Sequence, residues 1–426
     1  MFRIKLVSLF IFLLLPTSTI AQHEPNTTSP SQTDLPWYSH NLELSDFSWG
    51  GEYAGAVGWK NKDRSGFADL EQQSFSDQEI KLRAGFEHFN WLQASATLKA
   101  KKTYRSGIRN PEFTHGFESA YFGWASASGG AEISLGRKYY EDRRGFLFHE
   151  SLDGLHSTIR WLRKEEQWRA DFFAGRQAEG SGPVDFRLAQ VTMKQKARQL
   201  GAYYLSRSSR EGPGARRVFM GFRSSGQLLS SLEHWAEFAL MGGSRMSEFE
   251  AVSRRAWGAD VGLLWTPAEG LITTIAAYAY GSGDRDPDDG IDKQFRQTGL
   301  QLNNGWVGHG GTKLKYFGEL LKPELSNLAI STLGLRWSLP AEITVEILHH
   351  RYRQPVASTT LYAYGLSQSP SGAARSLGQE WDLVVSHRLP NGLRVELNLA
   401  QFRPGAAFQG RIEPLNLAYI DLRYFF

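Results

Sequence analysis

The last nine residues of the chain alternate between two kinds of side chain. Ala418, Ile420, Leu422, Tyr424 and Phe426 fall on one side of an extended strand, and Tyr419, Asp421, Arg423 and Phe425 fall on the other. A final strand with one apolar face, one polar face and an aromatic last residue is typical of outer-membrane β-barrels. The ending therefore predicts a strand that meets lipid on one side and water on the other.

The opposite end of the chain predicts export. Arg3 and Lys5 precede an apolar run at residues 6–15, and residues 19–21 form a small-residue cleavage site. About ten apolar residues are too few for a membrane-anchoring helix, which must cross ~30 Å of hydrocarbon. We expect residues 1–21 to be a signal peptide, residues 22–36 a polar periplasmic leader and residues 37–426 one barrel domain.

Apolar and polar side chains keep alternating after the leader, and short connections alternate with long ones. The short connections are predicted at 88–90, 126–130, 163–167, 224–226, 266–270 and 390–392, and the long ones at 61–77, 103–116, 140–154, 281–294, 353–376 and 403–417. This rhythm predicts an all-β, transmembrane up-and-down antiparallel β-barrel. The pattern counts about twenty strands, but one hairpin, around 186–206 or 295–321, is open between strand and loop.

Composition helps to distinguish a membrane barrel from a soluble protein and from a nucleic-acid-binding protein. A mean hydropathy of −0.39 suits a soluble protein, but barrel strands carry apolar residues only at every second position. A soluble all-β sandwich also alternates, although charged residues on the second face of strand after strand would not suit a dry core. Cysteine is absent, and 48 basic against 44 acidic residues is too balanced for a nucleic-acid-binding protein.

Catalytic and metal-binding patterns are weak. The chain contains no Gly-x-Ser-x-Gly elbow and no His-Glu-x-x-His motif, and its eleven histidines are scattered, so we predict that it is not an enzyme and needs no cofactor. Asp284, Asp286 and Asp288 are weak calcium candidates because carboxylates are dense there. The EF-hand pattern fails, since Asp289 occupies the glycine position and Phe295 the final glutamate position.

Several segments resemble the alginate-export family of outer-membrane barrels. They occur in the family's order and span most of residues 130–390: ISLGRK (133–138), EDRRG (141–145), SLDGL (151–155), YAYGSGD (278–284), FRQTGLQ (295–301), GELLKPELSNL (318–328), HRYRQ (350–354) and LGQEWDL (377–383). The resemblance implies an eighteen-stranded barrel that passes an anionic uronate polysaccharide through an arginine-rich constriction. We therefore expect about 18 strands, with 16 or 20 as alternatives.

Lumenal arginines are the candidate site residues. Strand alternation predicts that four of them point inward: Arg83, Arg160, Arg336 and Arg394. The family-like motifs add five positions: Arg137, Arg143, Arg296, Arg351 and Arg353, although His350 and Arg351 cannot both face the lumen. Arginine suits carboxylate recognition because it stays charged and binds carboxylates bidentately. The alternative is that each inward arginine simply pairs with an inward Asp or Glu.

The predicted function is export of an anionic, alginate-like exopolysaccharide across the outer membrane of a Gram-negative bacterium. The alternative is a diffusion porin for small anionic solutes. Expected partners are the polysaccharide, outer-membrane lipids and lipopolysaccharide, the barrel-assembly machinery through the C-terminal strand, and a periplasmic scaffold of a secretion complex, with no nucleic acid. Combined charge reversal of Arg137, Arg296 and Arg353 is predicted to shift selectivity toward cations.

Overall fold

The computed structural model describes residues 47–63, 70–88, 92–108, 110–126, 128–142, 144–177, 184–209, 216–246, 251–267, 270–306, 313–410 and 412–426. The predicted signal peptide and leader, and the candidate Arg143, lie outside these residues. None of the described segments forms a helix that is long and apolar enough to cross a membrane.

Twenty-one strands occur in the described residues, and eighteen of them form one closed antiparallel ring. In chain order the ring strands are β1 (Phe47–Asp63), β2 (Leu70–His88), β3 (Leu92–Arg105), β4 (Glu112–Ala125), β5 (Ala131–Glu141), β6 (His149–Arg163), β7 (Glu166–Gln177), β8 (Val184–Gln195), β9 (Arg198–Ser209), β10 (Arg216–Leu229), β11 (Leu232–Met246), β12 (Ala251–Trp265), β13 (Ile272–Gly281), β17 (Leu328–Leu339), β18 (Ile343–Arg353), β19 (Ser376–Arg388), β20 (Arg394–Pro404) and β21 (Leu415–Phe425). Three short strands lie between β13 and β17: β14 (Ile291–Asp292), β15 (Asn304–Trp306) and β16 (Lys313–Lys315). The predicted barrel of about 18 strands is confirmed.

The ring closes where β1 pairs with β21. Gly51 and Phe426 exchange two backbone hydrogen bonds, of 2.7 and 3.0 Å. A Cβ atom on Gly51 would lie 2.4 Å from the Phe426 ring, so the terminal aromatic side chain packs directly over this glycine. The predicted final strand is therefore the one that closes the barrel against β1.

Alternation decides which face of each strand meets lipid. Leu135, Leu333 and Trp257 lie on outward faces and are 64%, 62% and 41% exposed, whereas Asp260 and Arg336 on inward faces are 1% and 2% exposed. Apolar side chains can face outward in this way because lipid, rather than water, surrounds a barrel of this kind. Two stacked sheets with a dry core, as in a sandwich, are excluded by the single closed ring.

The short turns predicted at 126–130, 163–167 and 390–392 agree with the structure, but the long connections predicted at 61–77, 103–116 and 140–154 are too long, because β2, β4 and β6 begin inside them. Residues 89 and 90 of the turn predicted at 88–90 lie outside the described residues. The region 186–206 forms β8 and β9, whereas most of 295–321 is loop, which resolves the open hairpin. The turn predicted at 224–226 is wrong, because β10 continues to Leu229 and the turn follows at 230–231. Gly226 suggested a turn in the sequence, but it lies within the strand, where it adopts a φ of +120°.

Three of the connections at the loop-bearing end fold back against the inner wall, and we call them the inner loops. Their described residues are 142 and 144–148 in the first, 282–306 and 313–327 in the second, and 354–375 in the third. Large apolar side chains of the loops are fully buried, including Phe146, Leu147, Phe295, Leu321 and Leu325. They belong to one cluster with the inward wall residues Phe186, Leu205, Phe219 and Ile330. The prediction of a bore lined by polar side chains throughout is therefore wrong for this part of the wall.

Candidate functional site

Four predicted lumenal arginines, Arg83, Arg160, Arg336 and Arg394, face inward. Arg160 donates to Glu132 at 3.1 Å and Arg394 donates to Glu396 at 2.8 Å. Arg336 and Glu346 form a buried pair in which the two side chains are 2% and 1% exposed. Arg83 lies opposite Gly50 and Thr97. The ion pairs of Arg160, Arg336 and Arg394 fit the alternative that inward arginines pair with inward Asp or Glu side chains of the wall.

Three other candidates, Arg137, Arg351 and Arg353, point outward, which corrects the expectation that they line the lumen. Arg137 shares a face of β5 with Leu135 and donates bidentately to Asp153 at 2.8 and 3.1 Å. On β18 the inward residue is His350, which lies within hydrogen-bond distance of Thr332. Because side chains alternate along a strand, Arg351 and Arg353 must then face away from the lumen.

Outward arginines should not influence ion selectivity. We expect R137E and R353E to leave the reversal potential in planar bilayers unchanged, because their charges face lipid or the outer rim rather than the permeation path. R296E is the informative comparison, since Arg296 lies on the second inner loop. A shift in reversal potential caused by R353E alone would contradict the observed orientation of β18.

Asp142 holds the first inner loop in place. Its carboxylate accepts hydrogen bonds from the backbone N–H groups of Arg144, Phe146, Leu147 and Phe148, at 3.2, 2.9, 2.6 and 2.9 Å. This turn directs Arg144 into the wall, where it pairs with Asp260 and its guanidinium lies 4.1 Å from the Tyr316 ring centroid. The EDRRG motif is therefore chiefly a loop-docking element.

The second inner loop is locked to the first by the FRQTGLQ motif. Gln297 is fully buried and donates to the carbonyl of Phe146 at 2.7 Å, while Thr298 donates to the carbonyl of Leu147. The same Gln297 side chain accepts the N–H of Leu325 at 2.8 Å. These contacts bring the FRQTGLQ and GELLKPELSNL segments together inside the barrel.

Wall carboxylates fix the turn that carries Glu319. Glu380 accepts the N–H groups of Leu320 and Leu321 at 2.6 and 3.0 Å, and Asp382 accepts that of Glu319 at 3.0 Å. Burial would raise the pKa of the Glu319 carboxyl, but Lys315 and Lys322 outweigh burial and hold this pKa at about 2. Glu319 therefore stays ionised at any physiological pH and keeps both lysines beside it.

A row of arginines crosses the wall near the inner loops. Arg207 on β9 lies directly opposite Arg217 on β10, and Arg217 lies opposite Gly243, which in turn lies opposite Arg254 on β12. Directly opposed side chains in such a ladder have Cβ atoms on the order of 5 Å apart. Gly243 has a φ of +113° and contributes no side chain to the row. Together with Arg296 we call Arg207, Arg217 and Arg254 the arginine row.

The arginine row is only partly neutralised. Arg296 donates bidentately to Glu324 at 2.9 and 3.0 Å and stacks 3.4 Å from the Tyr362 ring centroid, and Arg254 lies 3.5 Å from Asp292. Arg217 donates to the carbonyl of Gln297 at 2.9 Å. Within the described residues, neither Arg207 nor Arg217 forms an ion pair, and the buried Nε of Arg207 has no acceptor. Closely spaced cations, one of which has an unfilled donor, make this row a candidate anion site.

Sequence reasoning identified Arg296 but missed Arg207, Arg217 and Arg254. The inward faces around them carry Tyr203, Leu205 and Phe219, which inverts the expected polar-inward pattern. Tandem arginines could have revealed two of the three positions. Arg216-Arg217 and Arg254-Arg255 each place one guanidinium on either side of a strand, because side chains alternate.

The calcium candidates do not form a metal site. Asp284 accepts the N–H groups of Asp286 and Lys293 at 3.1 and 3.3 Å, and Asp289 pairs with Lys293. Nowhere in the described part of the chain do three or more His, Asp or Glu side chains converge to hold a metal ion. The weak expectation for Asp284, Asp286 and Asp288 is therefore wrong for the arrangement seen here.

The buried pair between Arg336 and Glu346 should matter for stability. We expect E346A to lower the free energy of unfolding by ~3 kcal/mol or more, because it deprives a buried guanidinium of its carboxylate partner. The matched double variant R336M/E346L should cost much less, since it removes both charges. Urea unfolding in lipid vesicles measures both, and equal losses for the two variants would contradict this explanation.

A closed eighteen-stranded ring with a lipid-facing apolar exterior and cations on its inner wall defines an outer-membrane β-barrel of the channel type. The alginate export family model matches residues 125–413. The chain belongs to the alginate export family, and this confirms both the resemblance and the location in a Gram-negative outer membrane.

Two curated relatives and several solved structures are similar to the chain. The alginate production protein AlgE of Pseudomonas aeruginosa is 29% identical over 182 residues, which are 39% of this chain and 36% of the relative. AlgE of Azotobacter vinelandii is 28% identical over 152 residues, 34% of this chain and 31% of the relative. The aligned region thus spans about a third of the length of either relative.

Solved structures support the fold. The crystal structure of Pseudomonas aeruginosa OccK5 (OpdH) has a TM-score of 0.57 at 11% identity and covers 90% of this chain and 98% of that chain. Acinetobacter baumannii OccAB3 has a TM-score of 0.55 at 10% identity and covers 89% and 99%. At these identities the similarity shows the barrel architecture alone.

Proposed function

We propose that this protein is an outer-membrane channel that exports an anionic, alginate-like uronate polysaccharide. The observation that carries the proposal is the arginine row, with Arg207, Arg217 and Arg254 on the inner wall and Arg296 on the second inner loop. Membership in the alginate export family and the relatives named alginate production protein support this choice of polymer. No bond is made or broken in such transport, and we propose that the protein is not an enzyme.

The arginine row would act by exchanging partners with the passing carboxylates. A charge-assisted hydrogen bond to a guanidinium contributes ~1.5–3 kcal/mol, enough to attract a uronate carboxylate without trapping it. Glu324 and Asp292 already contact Arg296 and Arg254, so a polymer carboxylate would compete with carboxylates of the protein. Several weak sites in sequence let a charged chain enter and leave, as conduction requires.

The inner loops would restrict what else can pass. Their apolar side chains pack against inward residues on β6 to β13 and on β17 to β21, which narrows the channel beside the arginine row. Near the seam where β1 meets β21, the wall instead carries paired charges such as Lys81 with Glu118 at 2.7 Å and Arg423 with Glu52 at 3.4 Å. A hydrated, locally neutral wall opposite a cationic row would favour a flexible polyanion over a neutral polymer.

Deletion of the gene from its natural host tests the proposal. We expect loss of extracellular uronate polymer and its accumulation in the periplasm, with normal uptake of small anionic nutrients. Complementation with the wild-type gene should restore secretion. Normal polymer secretion together with impaired growth on small anionic solutes would overturn the proposal and assign the protein to diffusion porins. Partnership with a periplasmic scaffold remains a proposal that copurification can test.

A further inference from the structure

We propose that the outer face of the barrel between β18 and β20 binds the phosphorylated headgroup of an outer-leaflet glycolipid, the lipid A part of lipopolysaccharide. The site consists of Arg351, Arg353 and Arg403, which we call the rim patch. All three residues are exposed. This inference does not depend on what passes through the lumen.

The strand register brings the rim patch together. Arg351 lies opposite Gln379, and Gln379 lies opposite Arg403, so two arginines flank one glutamine in a single row. Arg353 lies two residues further along β18, opposite Ser376. With strands ~4.8 Å apart and residues ~3.3 Å apart along a strand, the three arginine backbone positions fall within about 12 Å of each other.

The rim patch begins where the apolar belt ends. Leu333 on β17, Trp381 on β19 and Leu399 on β20 face outward and are exposed to lipid. The His349 ring lies 4.4 Å from the Trp381 ring and within 3.2 Å of the Gln379 side-chain oxygen. Aromatic side chains of this kind mark the level of the membrane interface. Arg351 follows immediately on the loop-bearing side, which is the outer side of the membrane.

The rim patch keeps its positive charge in the part of the chain that the structure describes. None of its three arginines forms an ion pair with a described residue, and Arg403 donates to Gln401 at 2.9 Å. The third inner loop, residues 354–375, contains no Asp or Glu. Other outward arginines are neutralised by carboxylates: Arg137 pairs with Asp153, and Arg176 pairs with Asp185.

Phosphate esters are the ligand that this arrangement fits. Guanidinium groups bind phosphate oxygens bidentately, and several together at a membrane surface attract anionic headgroups. A phosphorylated glycolipid also supplies acyl chains for the adjoining belt at Leu333 and Trp381, which free phosphate cannot do. The phosphates of one lipid would thus contact the rim patch while its acyl chains contact the adjoining apolar belt.

Native mass spectrometry of the purified full-length mature protein tests the proposal. The probes are bisphosphorylated lipid A and the same lipid with its phosphates removed, and inorganic phosphate serves as competitor. We expect wild-type protein to retain the phosphorylated lipid at least about tenfold better than the dephosphorylated one. R351Q/R353Q/R403Q should lose this preference. The control R187Q/R216Q/R255Q removes three outward arginines from another part of the barrel and should keep it.

Several results would overturn the inference. Equal retention of the two lipids by wild-type protein would overturn it. This outcome requires no variant, so it remains decisive even if the triple variant fails to fold. An unchanged preference in R351Q/R353Q/R403Q does so as well. Displacement of lipid A by inorganic phosphate alone would show a site for small anions. Loss of a dimer in the variant with unchanged lipid retention would assign the patch to contacts between copies.

Discussion

Secretion of the polymer should fall at least about tenfold when Arg207, Arg217 and Arg254 are all replaced by glutamine. Each substitution removes one guanidinium from the row while keeping a polar side chain of similar reach. Because a charge-assisted contact contributes more than ~1.4 kcal/mol, loss of even one contact per passing segment reduces occupancy about tenfold. The measurement is extracellular uronate from a deletion strain that carries the variant, at matched levels of folded barrel.

Outward arginines provide the matched control. In R187Q/R216Q/R255Q the same number of charges is removed, and Arg216 and Arg255 are the chain neighbours of Arg217 and Arg254. Because these three side chains face away from the lumen, secretion should stay at the wild-type level. Equal losses in the inward and outward variants would show that the charge of the barrel as a whole, rather than the arginine row, drives transport.

Replacing Asp142 with alanine should open the barrel. Four backbone N–H groups lose their acceptor, and each buried unpaired group costs ~1–3 kcal/mol. The first inner loop can avoid this cost by leaving the wall and becoming hydrated, which also withdraws Arg144 from Asp260. We expect single-channel conductance in planar bilayers to rise severalfold and cells to become sensitive to large hydrophilic antibiotics.

Asp153 offers the control for this experiment. It is an outward carboxylate on β6 whose described side-chain hydrogen bonds go to Arg137 on β5. D153A should therefore leave conductance and antibiotic sensitivity unchanged. Wild-type conductance in a correctly folded D142A barrel would contradict the assigned role of Asp142. It would mean that Gln297 and Thr298 suffice to keep the first inner loop in place.

The barrel itself could be predicted from the sequence because its physical cause is local. A lipid-facing strand must be apolar at every second position, so Trp257 to Trp265 and Leu397 to Phe402 show their orientation without knowledge of their neighbours. Turn lengths then set the order of the strands. The inward positions of Arg336 and Arg394 followed from the same alternation, and so did the final strand that ends at Phe426.

The inner loops and the arginine row could not be predicted in this way. Tyr203, Leu205 and Phe219 face inward although they are apolar, because they pack against loops that are distant in the chain. Motif resemblance placed Arg137 and Arg353 at the lumen, whereas alternation with Leu135 and His350 turns them outward. Long-range contacts such as Asp142 with its loop N–H groups decide which side chains line the remaining channel, and no local pattern encodes them.

The central claim is that a polyanion passes the arginine row within the lumen. Current through single wild-type barrels in planar bilayers, with uronate oligomers added to one side, tests this claim most directly. We predict anion-selective current and voltage-dependent block by the oligomers, with weaker block in R207Q/R217Q/R254Q and none by neutral glucans of equal length. Cation-selective current, or equal block by charged and neutral oligomers, would contradict the claim.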